Sequence, residues 1–129
     1  MRLLLDTSVL IDVLRLRRGR RELLAELARG GHSLATTAWN VAELYAGMRP
    51  EEKARTEEFL GLLDCYPLTA TAGRLAGSLK YKYARTGRTL TLAVSIVAAI
   101  AMEQRCTLMT DNRNDFSMPE LDCYDLPDG

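Results

Sequence analysis

RLLLDTSVLIDVL, residues 2–14, is the stretch whose reading decides the fold. Leu3, Leu4 and Leu5 form an uninterrupted apolar run, the pattern of a strand covered on both faces. Asp6 ends the run. Thr7 and Ser8 follow as residues suited to helix capping, and Val9, Leu10, Val13 and Leu14 then recur at helical spacing. A carboxylate directly after a first, buried strand stands where open α/β sheets hold their ligands. Asp also caps helices well. Asp6 alone therefore reads either as a cap or as a functional acid, and what joins it decides.

The chain has 129 residues, a length that fits one domain, 1–129, with a real core. Hydrophobic residues make up 47%, too many for a disordered chain. Lys plus Arg equals Asp plus Glu at 17 each, so bulk charge selects no partner and charge placement must do so. Leu90 to Met102 is the long apolar run, and it falls short of the roughly 20 residues that span a bilayer. Arg2 precedes only three leucines before Asp6, which is not a secretory signal. Cys65, Cys106 and Cys123 are odd in number and lie in apolar stretches, as reduced core thiols of a cytoplasmic protein do. His32, the only histidine, sits in a GGHS turn with no Cys or His at ligand spacing, which argues against zinc.

The remaining chain alternates strands with helices. Arg15, Arg17, Arg18, Arg20 and Arg21 crowd the loop after the first helix, either as a solvated helix end or as a patch for RNA phosphates. A helix follows to Arg29, stopped by Gly30 and Gly31. Ser33–Thr36 reads as a second strand. Thr36 or Thr37 then caps a helix holding Trp39, Val41, Leu44, Tyr45 and Met48, with Glu43 about two turns in between apolar neighbours. Another helix begins near Pro50. Cys65–Leu68 is a third strand, and 70–85 a helix ending in KYKYARTGR, an amphipathic surface or a basic–aromatic track for single-stranded nucleic acid. Leu90–Met102 has the alanines and length of a buried helix capped by Thr89 or Thr91. Cys106–Thr110 is a fourth strand, DNRNDF a polar turn, and Leu121–Leu126 a fifth, edge strand between Pro119 and Pro127. The alternation implies right-handed crossovers and an α/β fold with a mainly parallel sheet of about five strands.

In such a sheet Asp6 and the turn with Asp111, Asn112 and Asp115 share one edge, and Glu43 reaches it from its helix. Gathered carboxylates repel by about 1–4 kcal/mol per pair at about 4 Å near a surface. A hard cation removes that repulsion. Mg²⁺ and Mn²⁺ prefer oxygen ligands, keep waters, and make a bound water able to attack a phosphodiester.

Four segments, LLLDTSVLIDVL, TTAWNVAELYAGM, GRTLTLAVSIVAAIAM and CTLMTDNRNDF, together resemble the PIN domain, and more narrowly the VapC toxin ribonucleases of toxin–antitoxin pairs. The resemblance spans almost the whole chain in order. It implies a three-layer α/β/α fold, RNA cleavage with Mg²⁺ or Mn²⁺ held by acids, a homodimer, and a VapB-type antitoxin that blocks the groove. It carries the acids onto Asp6, Glu43 and Asp115, with Thr7, Ser8 and Asn112 as neighbours of the metal.

A further family acid falls at Val94, the third helical position if Thr91 is the cap, where both a capping box and the helix dipole favour an acid. Three explanations stand. The chain is a naturally weakened or silent member, Asp111 or Asp12 partly substitutes, or the valine is an introduced, inactivating change. Two functions from different classes follow: a metal-dependent endoribonuclease, or a catalytically silent PIN domain that binds antitoxin or RNA without cutting. A phosphate-accepting receiver also places an acid after its first strand. It needs adjacent acids early and a lysine at a late strand end, whereas this chain offers Leu5–Asp6 and no lysine after Lys82.

Overall fold

The computed structural model describes residues 1–127. Its elements run β1 (Arg2–Leu5), α1 (Thr7–Leu14), α2 (Arg20–Arg29), β2 (Ser33–Thr37), α3 (Ala38–Gly47), α4 (Lys53–Leu60), β3 (Asp64–Tyr66), α5 (Ala70–Ala84), α6 (Leu92–Glu103) and β4 (Thr107–Met109). Short 3-10 turns cover Pro50–Glu52 and Arg113–Phe116. The sheet order is β3-β2-β1-β4, and all pairs are parallel.

β1 is interior to the sheet, pairing Leu3 with Leu34 on one side and with Thr107 on the other. Leu3, Leu4 and Leu5 have no solvent exposure, as the continuous apolar run requires. Their side chains alternate between two cores. Leu4 packs with Ala72, Ala76 and Leu79 of α5 and the apolar face of α6. Leu3 and Leu5 pack with Val9, Leu10 and Val13 of α1, Leu24 of α2 and Leu44 of α3, with Phe59 of α4 against them. The result is the expected three-layer α/β/α arrangement. α6 is buried throughout Ser95–Ala101, which resolves the ambiguous apolar run as a helix inside the core.

Two expectations are corrected. The sheet has four strands among the described residues, not about five. The segment after Pro119 meets β4 through one parallel bridge, Leu108 with Cys123, where the Leu108 amide donates to Asp122 O and the Tyr124 amide to Leu108 O, each at 2.8 Å. Cys65 is exposed on the edge strand β3 rather than in the core.

Leu4→Ala removes a side chain packed against the α5–α6 layer and is expected to cost about 2–5 kcal/mol. Urea unfolding checks this as a lowered midpoint with an unchanged slope.

Candidate functional site

The parallel strands deliver their carboxyl ends to one edge, and Asp6 is the first residue beyond β1. Its amide still donates to Met109 O at 3.0 Å, so its backbone is pinned to β4. It occupies the N-cap position of α1, yet its side chain makes no cap hydrogen bond. The carboxylate turns to its neighbours instead. Oδ1 accepts from Asn40 Nδ2 at 3.1 Å, and Oδ2 accepts from Thr110 Oγ1 at 2.7 Å, with Ser8 Oγ at 3.5 Å. The side chain therefore does not cap α1.

Asp6 is only 7% exposed. Burial pushes its carboxyl above the usual range, and the nearby Glu43 carboxylate adds to this. Hydrogen bonds from Thr110, the Thr7 amide and Asn40 oppose the rise without cancelling it. Glu43 projects from the middle of α3, exposed, and Oε1 accepts from Thr7 Oγ1 at 2.8 Å. Asp6, Glu43, Thr7 and Ser8 thus stand together, an all-oxygen donor set. Mg²⁺ is commonly held by one or two carboxylates plus waters and substrate phosphate, so these residues fit Mg²⁺ or Mn²⁺.

Asp115 is placed differently. It lies in the turn after β4, exposed, its amide donating to Asn112 O at 3.0 Å and its carbonyl accepting from Arg88 at 3.2 Å. Among the described residues no group of three or more His, Cys, Asp or Glu side chains is gathered for a metal. Asn112 approaches through its backbone, its amide donating to Thr110 Oγ1 at 3.0 Å. Val94 sits in the first turn of α6, its amide on Thr91 Oγ1 at 3.1 Å, half-buried against the α5–α6 core.

The arginine run divides. Arg20 is 2% exposed, and its guanidinium donates to Asp111 Oδ1 and to the Pro127 carbonyl, each at 2.8 Å. It ties the α2 start to the turn after β4 and to Pro127 and offers nothing to a phosphate, which corrects its assignment. Arg18 pairs with Asp111 at 3.3 Å and lies 3.9 Å from Asp12, and Arg15 lies 3.7 Å from Glu52. Arg17 and Arg21 are exposed. Burial and the Asp111 carboxylate raise Asp12. Burial pushes Asp111 up too, but the Asp12 hydrogen bond and the Arg20 and Arg18 guanidinia hold it low. Asp12 and Asp111 are thus engaged in an ion-pair network of their own.

Lys82 and Tyr83 both bond to Glu120, and Arg88 lies over the Tyr83 ring. Tyr81 and Tyr83 are about 200° apart on a helix of 3.6 residues per turn, so the KYKY alternation does not line one track. Sequence reasoning missed Asn40. A lone Asn inside an apolar helical pattern was its only signal. It also missed an apolar groove of about 610 Å³ lined by Val13, Leu14, Leu24, Leu34, Phe59 and Leu63, with Arg21 and Arg55 among its other walls.

A PIN domain family model matches residues 3–119. Ribonuclease VapC19 of Mycobacterium tuberculosis is 32% identical over 119 residues, covering 92% of this chain and 95% of that one. Ribonuclease VapC10 of the same organism is 32% identical over 118 residues, covering 92% and 88%. A crystal structure of VapBC2 from Rickettsia felis bound to a promoter DNA fragment superposes with TM-score 0.86 at 21% identity, covering 96% of this chain and 98% of that one.

Two outcomes follow from the geometry. Arg20→Gln takes the closer guanidinium from the half-buried Asp111, which keeps Arg18 at 3.3 Å, and is expected to cost about 1.5–3 kcal/mol in urea unfolding. Asp6 binds its proton more tightly when folded than when unfolded. Its contribution to stability therefore grows as pH falls from neutral through its raised pKa and levels off below the unfolded value near about 3.9. Unfolding free energies of metal-free wild type and Asp6→Asn should accordingly shift in favour of the wild type as pH is lowered; a pH-independent difference contradicts the assignment.

Proposed function

This chain belongs to the PIN-domain family, and from that membership we propose that it is the endoribonuclease toxin of a VapBC-type pair, acting on RNA in the cytoplasm as a homodimer. The observation that carries the reading is the buried Asp6 at the end of β1 with Glu43 beside it, two acids with only neutral donors around them. Asp6 and Glu43 would hold Mg²⁺ or Mn²⁺, with Thr7 and Ser8 alongside. Such an ion, when bound, lowers the pKa of a coordinated water and polarises a phosphoryl oxygen. Asp6 supplies fixed negative charge, held in orientation by Asn40 and Thr110. Glu43 faces solvent, where substrate arrives. Arg17 and Arg21 are exposed to RNA phosphates, and Arg15 and Arg18 can meet them by leaving their carboxylates.

The VapB-type antitoxin is the partner this reading requires. The apolar groove between α1, α2 and α4 suits an amphipathic segment, and the groove-lining Leu16 and Leu62 are 66% and 78% exposed.

One observation favours a second reading, a silent domain that keeps its antitoxin but cuts nothing. Val94 places an apolar side chain where the family resemblance puts an acid, and no third acid joins Asp6 and Glu43 in a metal-holding group among the described residues.

Val94→Asp is expected to raise Mn²⁺ affinity in calorimetry and RNA cleavage together, and Asp6→Ala to abolish both. Intact RNA even with Val94→Asp, alongside retained antitoxin binding, selects the silent reading. Leu62→Asp should weaken antitoxin capture while leaving Mn²⁺ affinity unchanged.

A further inference from the structure

Asn40 has no solvent exposure, and every polar atom of its side chain is committed. Its Oδ1 accepts from Thr37 Oγ1 at 2.6 Å, and the same Thr37 oxygen accepts the Asn40 amide at 3.0 Å. Its Nδ2 donates to Asp6 Oδ1 at 3.1 Å and to Thr7 Oγ1 at 2.9 Å. Thr7 Oγ1, having accepted that bond, donates to Glu43 Oε1 at 2.8 Å. The direction of this relay is fixed. A flipped amide would turn its oxygen toward the Asp6 carboxylate and leave the Thr37 hydroxyl proton facing a donor.

We propose that Asn40 is a positioning residue: its amide, oriented by Thr37, sets the spacing of Asp6 and Glu43 so that both carboxylates face one divalent cation. This rests on the cation reading given above.

Three features carry it. Asp6 comes from a strand end and Glu43 from a helix, and their charges repel. One amide is nevertheless bonded to Asp6 and, through Thr7, to Glu43, so the β1–α1 junction and α3 are held as a unit. The donor is also neutral. An Arg or Lys at this place would orient the acids equally well but would cancel the charge a cation needs. An amide orients them and leaves that charge intact. Groups that orient metal-binding side chains typically contribute 10–100-fold in metal affinity.

The decisive comparison is Thr37→Val against Thr37→Ser, with Asn40→Ala alongside. Valine removes the hydroxyl at nearly constant volume, and serine keeps it. Each protein, and each change combined with Val94→Asp, is titrated with Mn²⁺ without RNA at a temperature where circular dichroism shows it folded. Thr37→Val should bind Mn²⁺ at least about tenfold more weakly, Thr37→Ser should match the unmutated protein, and Asn40→Ala should lose as much as Thr37→Val. Thr37 also caps α3, so a purely structural role lowers the melting temperature of Thr37→Val while its Mn²⁺ constant stays put; that result overturns the inference alone. No Mn²⁺ uptake by either the unmutated protein or Val94→Asp overturns the inference and the cation reading together.

Discussion

A carboxylate shut away from water at the end of the central strand is the constraint on which the other features turn. Burying an ionised group without a charged partner costs free energy, and proteins normally avoid it by pairing or by neutralising the group. Asp6 has neutral donors from Asn40 and Thr110, a like charge at Glu43, and no cationic side chain paired with it among the described residues. The position is not negotiable locally. Leu3, Leu4 and Leu5 fill both cores, and the Asp6 backbone is still laddered to β4. Shifting the strand by one residue to relieve the acid would exchange the faces of all three leucines.

The molecule holds a built-in comparison. Asp12, buried, and Asp111, half-buried, are also acids in close contact, yet the Arg20 and Arg18 guanidinia beside them hold Asp111 low. That cluster is internally balanced, and it ties the α2 start to the turn after β4 and to Pro127. The Asp6–Glu43 pair is the unbalanced one. Perturbed carboxyls mark both functional sites and structural ion-pair networks, and the missing counter-charge sets the Asp6–Glu43 pair apart from the balanced network. Asp111 links them physically, because its amide donates to Ser8 Oγ at 3.1 Å beside Asp6.

How legible this was depended on the range of the interactions. The apolar run Leu3–Leu5 announced a strand buried on both faces, and the alternation of elements announced a parallel layer, since both depend on local periodicity. Thr91 as a cap and the helix over the alanine-rich run were readable for the same reason. The arginine run was not. Arg15 to Arg21 look equivalent in sequence, and only the contact between Arg20 and Asp111, 91 positions apart, makes one of them a core residue. The fifth strand failed because one bridge at Cys123 does not make a ladder, and apolar composition between two prolines cannot reveal that. Asn40 escaped because its role is defined by Asp6 and Thr7, more than 30 positions away.

The start of α6 holds without an acid at Val94. Thr91 Oγ1 already accepts the Val94 amide, so the α6 cap survives without the reciprocal acid of a capping box. A cap is worth about 1 kcal/mol. Burying each large apolar side chain of α6, such as Ile96, Val97 and Ile100, is worth roughly 1.5–3 kcal/mol, so packing rather than capping holds the helix. On the proposed reading, valine at this place also spares the site edge one more like charge, a repulsion of about 1–4 kcal/mol per close pair. The same substitution therefore makes the cation-free protein easier to hold together and the cation harder to hold. On that reading stability and catalysis would pull in opposite directions at position 94, because the charge that repels its neighbours is the charge a metal would use.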